Sequence, residues 1–328
     1  MQENFETNTN LKRIVYLDRA GLPDRFSVRP PQVPHCWRDY SSTPPDLVIE
    51  RSLGATVIVT NKVKISKDVL IACPTVKHIA VSATGFNVVD IKACQELGVS
   101  VSNIPSYAST TVAEHVITSA LCLRRELLTY RQSVINNEWQ ASTSFCLFSK
   151  PIQDLNSSTF GVIGFGELGR ATAKKASALG MRVIYTSRTS KSCSFGKQVE
   201  FDELISQADI ISIHCSLTTQ TKNLISKVEL AKMQPHTILI NTARGGIVDE
   251  QAVVNAIKNN IIGGISFDVL AQEPPKDSSP LLSIADRNNV IITPHSAWAS
   301  EQAMSTLVTI LADNIEAFLL GSPKNLVS

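Results

Sequence analysis

The chain has 328 residues, of which 43% are hydrophobic and 18% are charged, and its formal net charge is +2. This length suffices for about two globular domains, and the composition is that of a folded protein rather than a disordered one. The near balance of charge gives no reason to expect nucleic acid or an anionic membrane as a partner. No apolar run approaches the roughly 20 residues needed to span a bilayer.

Short apolar runs alternate with helical patterns from the start of the chain, which is typical of an α/β fold. In the first hundred residues the pattern predicts strands at 12–17, 47–49, 56–59, 78–81 and 99–103. It predicts helices at 66–71 and 90–97, the second of which ends at Gly98. Residues 1–104 are therefore expected to form a small α/β domain.

The next segment contains one long predicted helix and one stretch of uncertain structure. Apolar spacing predicts a helix over residues 110–131. Residues 136–156 are polar with interspersed aromatic side chains. This stretch is compatible both with an extended arm that has an oligomeric role and with an ordinary surface loop.

From residue 159 onward the alternation of strands and helices is regular. Six strands are predicted, at 160–163, 181–186, 210–214, 237–241, 264–268 and 290–293. With their intervening helices they match a doubly wound parallel sheet. Residues 105–298 are therefore expected to form a dinucleotide-binding domain. The closing helix, 299–320, is expected to return to the first domain, so that residues 1–104 and 299–328 form a substrate domain. The prediction is two Rossmann-like domains with a cleft between them.

The first turn of the second domain has the glycine pattern of a dinucleotide site. Gly164, Gly166 and Gly169 form a GxGxxG motif between an apolar strand and an alanine-rich helix. In this motif the first glycine permits the tight turn, the second lets the backbone approach a pyrophosphate, and the third lets helix and strand pack closely. The helix N-terminus attracts the anion. This context favours cofactor binding over a plain strand-to-helix turn.

The end of the following strand bears on the choice between NAD and NADP. NAD enzymes usually place an acidic residue there to bind the ribose hydroxyls. In this chain the position is Ser187, followed by Arg188 and Thr189. Without a carboxylate, these side chains are suited to a 2′-phosphate, so the sequence favours NADP over NAD. The alternative is that Arg188 is a solvated surface charge and that either cofactor is used.

Three motifs each follow a predicted strand, at the carboxyl end where open α/β sheets bind ligands. They are NTARGG at 241–246, FDVLAQEP at 267–274 and TPHSAW at 293–298. They deliver Arg244, Glu273 and His295 to one rim, although each of these residues alone is also compatible with an ordinary core, turn or surface position.

The chemistry of keto-acid reduction requires these three residue types. Hydride attack leaves negative charge on the carbonyl oxygen, and a histidine is a suitable general acid because its ordinary pKa of about 6.5 is close to working pH. Glu273 would orient the imidazole and favour its charged form. Arg244 would bind the substrate carboxylate and polarise the carbonyl. The presence of all three residues at one rim favours a catalytic site over ordinary core, turn or surface positions. In the reverse reaction, His295 would act as the base.

Cysteine usage points to a reducing environment. The chain has seven cysteines, an odd number, and no CxxC pair. Free thiols are therefore expected, rather than a disulfide framework or a metal site. The first ten residues, MQENFETNTN, lack the basic-then-apolar order of a signal peptide. These features predict a cytoplasmic protein.

These motifs, in this order and spacing, resemble the D-isomer-specific 2-hydroxyacid dehydrogenases, from ATGFN at 83–87 to the last helix. The TPHSAWAS ending and residues 144–148 are most similar to the glycerate dehydrogenase and hydroxypyruvate reductase branch. The family often has Asp at the position of Asn87 and Pro at that of Ser216, and the second difference is expected to alter the loop beside the cofactor.

The resemblance implies a homodimer joined through the nucleotide domains, with residues 136–156 as the arm. It implies the roles given above for the Arg, Glu and His. It also implies a substrate site at Ala83, Thr84, Gly85 and Trp298, where backbone N–H groups near Thr84 and Gly85 hold the substrate carboxylate. Beyond the residues already named, the cofactor contacts expected are Thr111, Glu167, Leu168, His214, Thr218, Thr242, Ala243 and Asp268.

The expected reaction is the reduction of hydroxypyruvate or glyoxylate to the D-2-hydroxy acid. The same fold and residues also serve other 2-hydroxyacid dehydrogenases, such as those acting on phosphoglycerate or D-lactate. A different class of protein in the family, the nucleotide-sensing co-repressors, has the same dehydrogenase fold. Such proteins usually carry disordered partner-binding extensions, and this chain has only about ten polar residues before the first predicted strand.

Overall fold

A computed structural model describes residues 11–189 and 193–327. They divide into two compact units. Unit 1 runs to Tyr107 and resumes at Ser300, and unit 2 comprises Ala108–Ala299. The first ten residues, in which we predicted no signal peptide, lie outside the described residues.

Unit 1 contains a sheet of five parallel strands in the order β2-β1-β3-β4-β5. The strands are β1 (Lys12–Tyr16), β2 (His35–Asp39), β3 (Val57–Thr60), β4 (His78–Val81) and β5 (Ser100–Ser102). The helices are α1 (Val48–Ser52), α2 (Lys67–Ala72), α3 (Ile91–Leu97) and, from the end of the chain, α10 (Glu301–Leu319). Every residue of β3 and β4 is buried, as expected for continuous apolar strands in a parallel sheet that is covered on both faces.

Unit 2 contains a sheet of seven parallel strands in the order β12-β11-β10-β9-β6-β7-β8. The strands are β6 (Thr159–Ile163), β7 (Arg182–Thr186), β8 (Lys197–Gln198), β9 (Ile210–Ile213), β10 (Ile238–Asn241), β11 (Gly264–Phe267) and β12 (Val290–Ile292). The helices are α4 (Ser109–Arg124), α5 (Leu127–Ile135), α6 (Glu167–Ala178), α7 (Phe201–Gln207), α8 (Lys227–Leu230) and α9 (Glu250–Lys258). The strand order reverses between β6 and β9, which is the switch point where such sheets bind ligands. The predicted pair of parallel-sheet α/β domains is confirmed.

Helix bounds follow from capping residues that are visible in the sequence. The Asp90 carboxylate accepts the N–H of Ala93 at the start of α3, and Gly98 ends that helix in the left-handed conformation. Asp249 caps α9 in the same way. The Ser300 hydroxyl caps α10. Each cap satisfies a backbone group that the helix cannot pair internally.

Three sequence predictions were wrong in detail. Residues 47–49, predicted as a strand, lie in a 3₁₀ turn and α1, because so short an apolar run does not distinguish strand from helix. The single helix predicted over 110–131 is two helices, α4 and α5, separated at Glu126, whose φ is +53°. Strands β2 and β8 were not predicted, because neither contains a run of buried apolar residues.

Residues 136–156 form turns and bends without a helix or strand. All seven cysteines lie in the described part of the chain, and there each is a free thiol. Among residues 11–189 and 193–327, no helix combines the length and apolar character required to cross a membrane.

Candidate active site

The glycine-rich turn joins β6 to α6, and its three glycines have different surroundings. Gly164 has φ +94°, and a Cβ atom there would lie 2.7 Å from the backbone nitrogen of Cys215. A Cβ at Gly169 would overlap the carbonyl oxygen of Gly164, so helix and strand touch at this point. A Cβ at Gly166, in contrast, would meet no described atom within 4 Å. The packing of the chain itself requires two of these glycines, whereas Gly166 leaves open space at the start of the helix.

The residues around this turn fit a dinucleotide. The first turn of α6 has no side-chain cap at Gly166, and the N-terminus of a helix attracts an anion. Two buried polar atoms at nearby strand ends have no hydrogen-bond partner among the described residues, namely Nδ1 of His214 after β9 and Oγ1 of Thr242 after β10. A buried polar atom without a partner is costly, and a polar ligand along this rim would satisfy both.

His214 is held in place by its other ring nitrogen, which lies 2.8 Å from Oγ of Ser212. Burial lowers the pKa of His214 to about 4. The imidazole is therefore neutral at working pH, which suits a hydrogen-bonding role better than an acid–base role.

The other predicted cofactor residues lie on the same unit. Ser187 follows β7, and its carbonyl accepts a hydrogen bond from Gln198, while Arg188 and Thr189 are exposed. Helix α4 carries Thr111, whose hydroxyl donates to the carbonyl of Ala297 at 3.2 Å. The remaining predicted contacts are Glu167, whose carboxylate accepts the Ser109 hydroxyl, half-buried Leu168, exposed Thr218 and buried Ala243.

The predicted acid–base pair is in direct contact. Nδ1 of His295 lies 2.6 Å from Oε2 of Glu273, and the second carboxylate oxygen of Glu273 accepts the N–H of Leu270 at 2.9 Å. The two side chains are 29% and 30% exposed. The pair is thus fixed by the protein on one side and accessible on the other.

Asp268 organises the loop that carries His295. Its carboxylate accepts the Thr293 hydroxyl at 2.5 Å and the N–H groups of Ser296 and Ala297 at 2.8 and 3.0 Å. Its carbonyl accepts the N–H of His295 at 2.9 Å, and His295 has φ +53°. The predicted cofactor role of Asp268 would use the remaining lone pairs of a carboxylate that already accepts three hydrogen bonds.

His115 on α4 extends this network. Its Nε2 lies 3.4 Å from Oγ1 of Thr293. Because the only proton of that hydroxyl goes to Asp268, His115 must be the donor in this contact. Burial lowers the pKa of His115, and the negative charge of Asp268 opposes that shift.

Arg244 lies three residues beyond β10 in a loop tied by Asn241. The Asn241 side chain accepts the N–H of Ala243 at 3.1 Å and donates to the carbonyl of Arg244 at 3.0 Å. One guanidinium nitrogen of Arg244 donates to the carbonyl of Ala243, and the side chain is exposed. Strands β10, β11 and β12 are neighbours in the sheet and parallel. The loops that carry Arg244, Glu273 and His295 therefore leave the same edge.

The predicted substrate residues belong to both units. Ala83, Thr84 and Gly85 follow β4 in unit 1, where the Thr84 hydroxyl donates to the carbonyl of Ile104 at 2.7 Å. The Asn103 amide donates to the carbonyl of Thr84, also at 2.7 Å. These bonds fix the loop backbone. Trp298 lies in unit 2 and is half-buried.

Two residues to which we assigned no role from the sequence are connected to this site in the structure. Thr293 links His115 to Asp268, and Glu250 accepts the N–H of Ala271 close to Glu273. The only sequence signal for a role of Thr293 was its place two residues before His295. Within the described residues, no group of three or more His, Cys, Asp and Glu side chains is arranged to hold a metal ion.

Comparison with known proteins agrees with this architecture. Residues 117–297 match the family model described as D-isomer specific 2-hydroxyacid dehydrogenase, NAD binding domain. The chain is 45% identical over 317 residues to the glycerate dehydrogenase of Methylorubrum extorquens, covering 96% of this chain and 99% of that protein. It is 35% identical over 294 residues to the hydroxypyruvate reductase of Blautia hydrogenotrophica, covering 88% and 89%.

A solved structure shows the same likeness over most of the chain. The D-lactate dehydrogenase of Aquifex aeolicus, complexed with NAD and lactic acid, superposes with a TM-score of 0.82 at 25% identity, covering 96% of this chain and 99% of that one. The match of the family model to more than half of the chain, together with the 45% identical relative, leads to one conclusion. The chain belongs to the D-isomer specific 2-hydroxyacid dehydrogenase family.

Proposed function

We propose that the chain reduces a small 2-keto acid to the D-2-hydroxy acid with a nicotinamide cofactor, and that His295 is the general acid. The observation that carries the proposal is the 2.6 Å contact between Nδ1 of His295 and the Glu273 carboxylate, at the rim beside the glycine-rich turn. When bound, the cofactor supplies the hydride. Because Nδ1 donates to Glu273, Nε2 is the nitrogen that gives a proton to the substrate carbonyl oxygen.

Arg244 binds the substrate in this scheme. A guanidinium has five N–H donors, and one of its nitrogens is engaged by the carbonyl of Ala243. The donors that remain can hold the substrate carboxylate and stabilise charge on the carbonyl oxygen. In unit 1, the backbone N–H groups of Thr84 and Gly85 are proposed to hold the same carboxylate, which is supported by the fixed geometry of their loop.

Hydroxypyruvate and glyoxylate are the proposed substrates. The relatives at 45% and 35% identity are a glycerate dehydrogenase and a hydroxypyruvate reductase, and both align with most of this chain. The proposal is tested by initial rates with hydroxypyruvate, glyoxylate, pyruvate and bulkier 2-keto acids. Turnover of the two small substrates supports it. Preference for pyruvate indicates a D-lactate dehydrogenase instead, and cofactor binding without turnover indicates a binding protein of the co-repressor type.

NADPH is the proposed cofactor. The segment after β7, Ser187-Arg188-Thr189, has no carboxylate, and Arg188 is exposed and able to meet a 2′-phosphate. Michaelis constants for NADPH and NADH, measured for the wild type and for Arg188→Ala, test this choice. The expected result is a lower constant for NADPH that rises in the variant while that for NADH does not change. A clear preference for NADH in the wild type contradicts it.

A homodimer is the proposed assembly, with residues 136–156 as the arm. Phe145 and Phe148 are 88% and 83% exposed, and Trp139 is 51% exposed. So large an exposed apolar surface is typical of an interface. Light scattering after size exclusion is expected to give twice the 35.7 kDa chain mass.

The proposed location is the cytoplasm, because free thiols are typical of proteins in a reducing compartment.

A further inference from the structure

Glu250 is an acidic side chain at the edge of the site that the mechanism above does not use. It is the first residue of α9, and the cap of that helix is already provided by Asp249, whose carboxylate accepts the N–H of Ala252 at 3.0 Å. Oε1 of Glu250 accepts the N–H of Ala271 at 2.6 Å. The side chain therefore reaches out of its own helix to the loop after β11.

That loop is the one that carries Glu273. The N–H of Leu270 donates to one oxygen of Glu273, whose other oxygen contacts His295. The same loop packs against Gly245, where a Cβ atom would overlap the carbonyl oxygen of Leu270. The loop backbone is thus held at Leu270 by the glycine next to Arg244 and at Ala271 by Glu250.

Burial and the neighbouring acids disfavour the charged form of Glu250. Burial raises the pKa of Glu250, and the negative charges of Asp249 and Glu273 raise it further. Only the hydrogen bond from Ala271 opposes these effects. The side-chain cap of α9 is provided by Asp249, and a second acid beside Glu273 adds like charge to the site. The bond of Glu250 to the loop is the role that the geometry supports.

We propose that Glu250 is a positioning residue for the reaction: by holding Ala271 it fixes the Glu273 carboxylate, which in turn orients the His295 imidazole. The inference rests on the proposed reductase function. Misplacement of catalytic groups by even an ångström lowers turnover strongly. The role requires an acceptor oxygen at this position and does not require its charge.

Three single variants test the proposal with hydroxypyruvate and NADPH. Glu250→Ala is expected to lower kcat about tenfold to a hundredfold and to leave the Michaelis constant for NADPH unchanged. Glu250→Gln keeps an acceptor for Ala271 and is expected to stay within about threefold of the wild type. Asp249→Ala is the matched control, because it removes the cap of the same helix without touching the loop. It is expected to lower Tm and to keep kcat.

A double-mutant cycle tests whether Glu250 acts through Glu273. In the Glu273→Ala background, Glu250→Ala is expected to cause no further loss of kcat. The proposal is overturned if the two losses multiply, if Glu250→Ala has wild-type kcat, or if Glu250→Gln loses as much as Glu250→Ala. Failure of the proposed function is a different result, since the wild type itself would then turn over no 2-keto acid.

Discussion

Replacement of Gly166 by alanine is expected to separate the glycine that we propose to serve the cofactor from the glycines that serve the fold. Gly166 has φ −78°, which any L residue adopts, and an added methyl group would meet no described atom within 4 Å. The fold therefore loses nothing, and the smaller conformational freedom of the unfolded chain adds about 0.4–1 kcal/mol to the free energy of unfolding. The methyl group would occupy the space proposed for the cofactor pyrophosphate.

The two neighbouring glycines are the matched controls. Gly164→Ala combines a left-handed residue, at a cost of about 1–2 kcal/mol, with a 2.7 Å clash against backbone, at a cost of about 1–3 kcal/mol. We expect it to lower the free energy of unfolding by about 2–5 kcal/mol, the sum of these two costs. Gly169→Ala is expected to lose at least the overpacking part, because its methyl group would overlap the carbonyl of Gly164.

The assay pairs urea unfolding with a fluorescence titration of NADPH. Gly166→Ala is expected to keep the unfolding midpoint of the wild type or raise it, and to raise the Kd for NADPH at least tenfold, which is about 1.4 kcal/mol. The reasoning is refuted if Gly166→Ala binds NADPH as the wild type does, or if it loses as much stability as Gly164→Ala.

Three further outcomes can be measured. His295→Ala is expected to lower kcat by about 10²–10⁴-fold through loss of the general acid, with the Kd for NADPH unchanged. Arg244→Ala is expected to raise the Michaelis constant for the keto acid about tenfold or more, since charged hydrogen bonds are lost. Near-wild-type rates in both variants would mean that the site is elsewhere. Burial lowers the pKa of His78 from 6.5 to about 4, so its neutral form is favoured in the folded state. The unfolded chain then takes up the proton first, and the free energy of unfolding should fall by about 3 kcal/mol between pH 6.5 and 4. His78→Gln should show a shallower pH dependence, and an equal one would contradict the assignment.

The sequence was most informative for strands that are buried on both faces of the sheet. Strands β6, β9, β10 and β11 of unit 2 are buried at every residue, so they read as mostly apolar runs, and the residues just after the predicted strands could be placed at one edge. That argument located Arg244, Glu273 and His295 without any knowledge of distances. It depended only on the strands being parallel and adjacent, which they are.

The same reasoning failed where backbone conformation has no side-chain signature. Glu126 takes a left-handed φ of +53° without being glycine, and the apolar spacing continues past it at Leu127 and Leu128, so the break between α4 and α5 left no mark in the pattern. The edge strand β2 is half-exposed and polar, and therefore lacks the apolar run on which the prediction depends.

The contacts that hold the loop of His295 could not be predicted for a related reason, and they explain how this loop tolerates the strained backbone of His295. His295 has a left-handed φ, which costs a non-glycine residue about 1–3 kcal/mol. Its N–H donates to the carbonyl of Asp268, and the Asp268 carboxylate accepts two more N–H groups from the residues that follow. Each hydrogen bond to a charged group contributes about 1.5–3 kcal/mol, so a single buried carboxylate offsets the strain. Because the donors are backbone groups, these hydrogen bonds require no particular side chain at 296 or 297, and the aspartate is the residue that they require. The backbone geometry at His295 is thus encoded one strand away, at the end of β11.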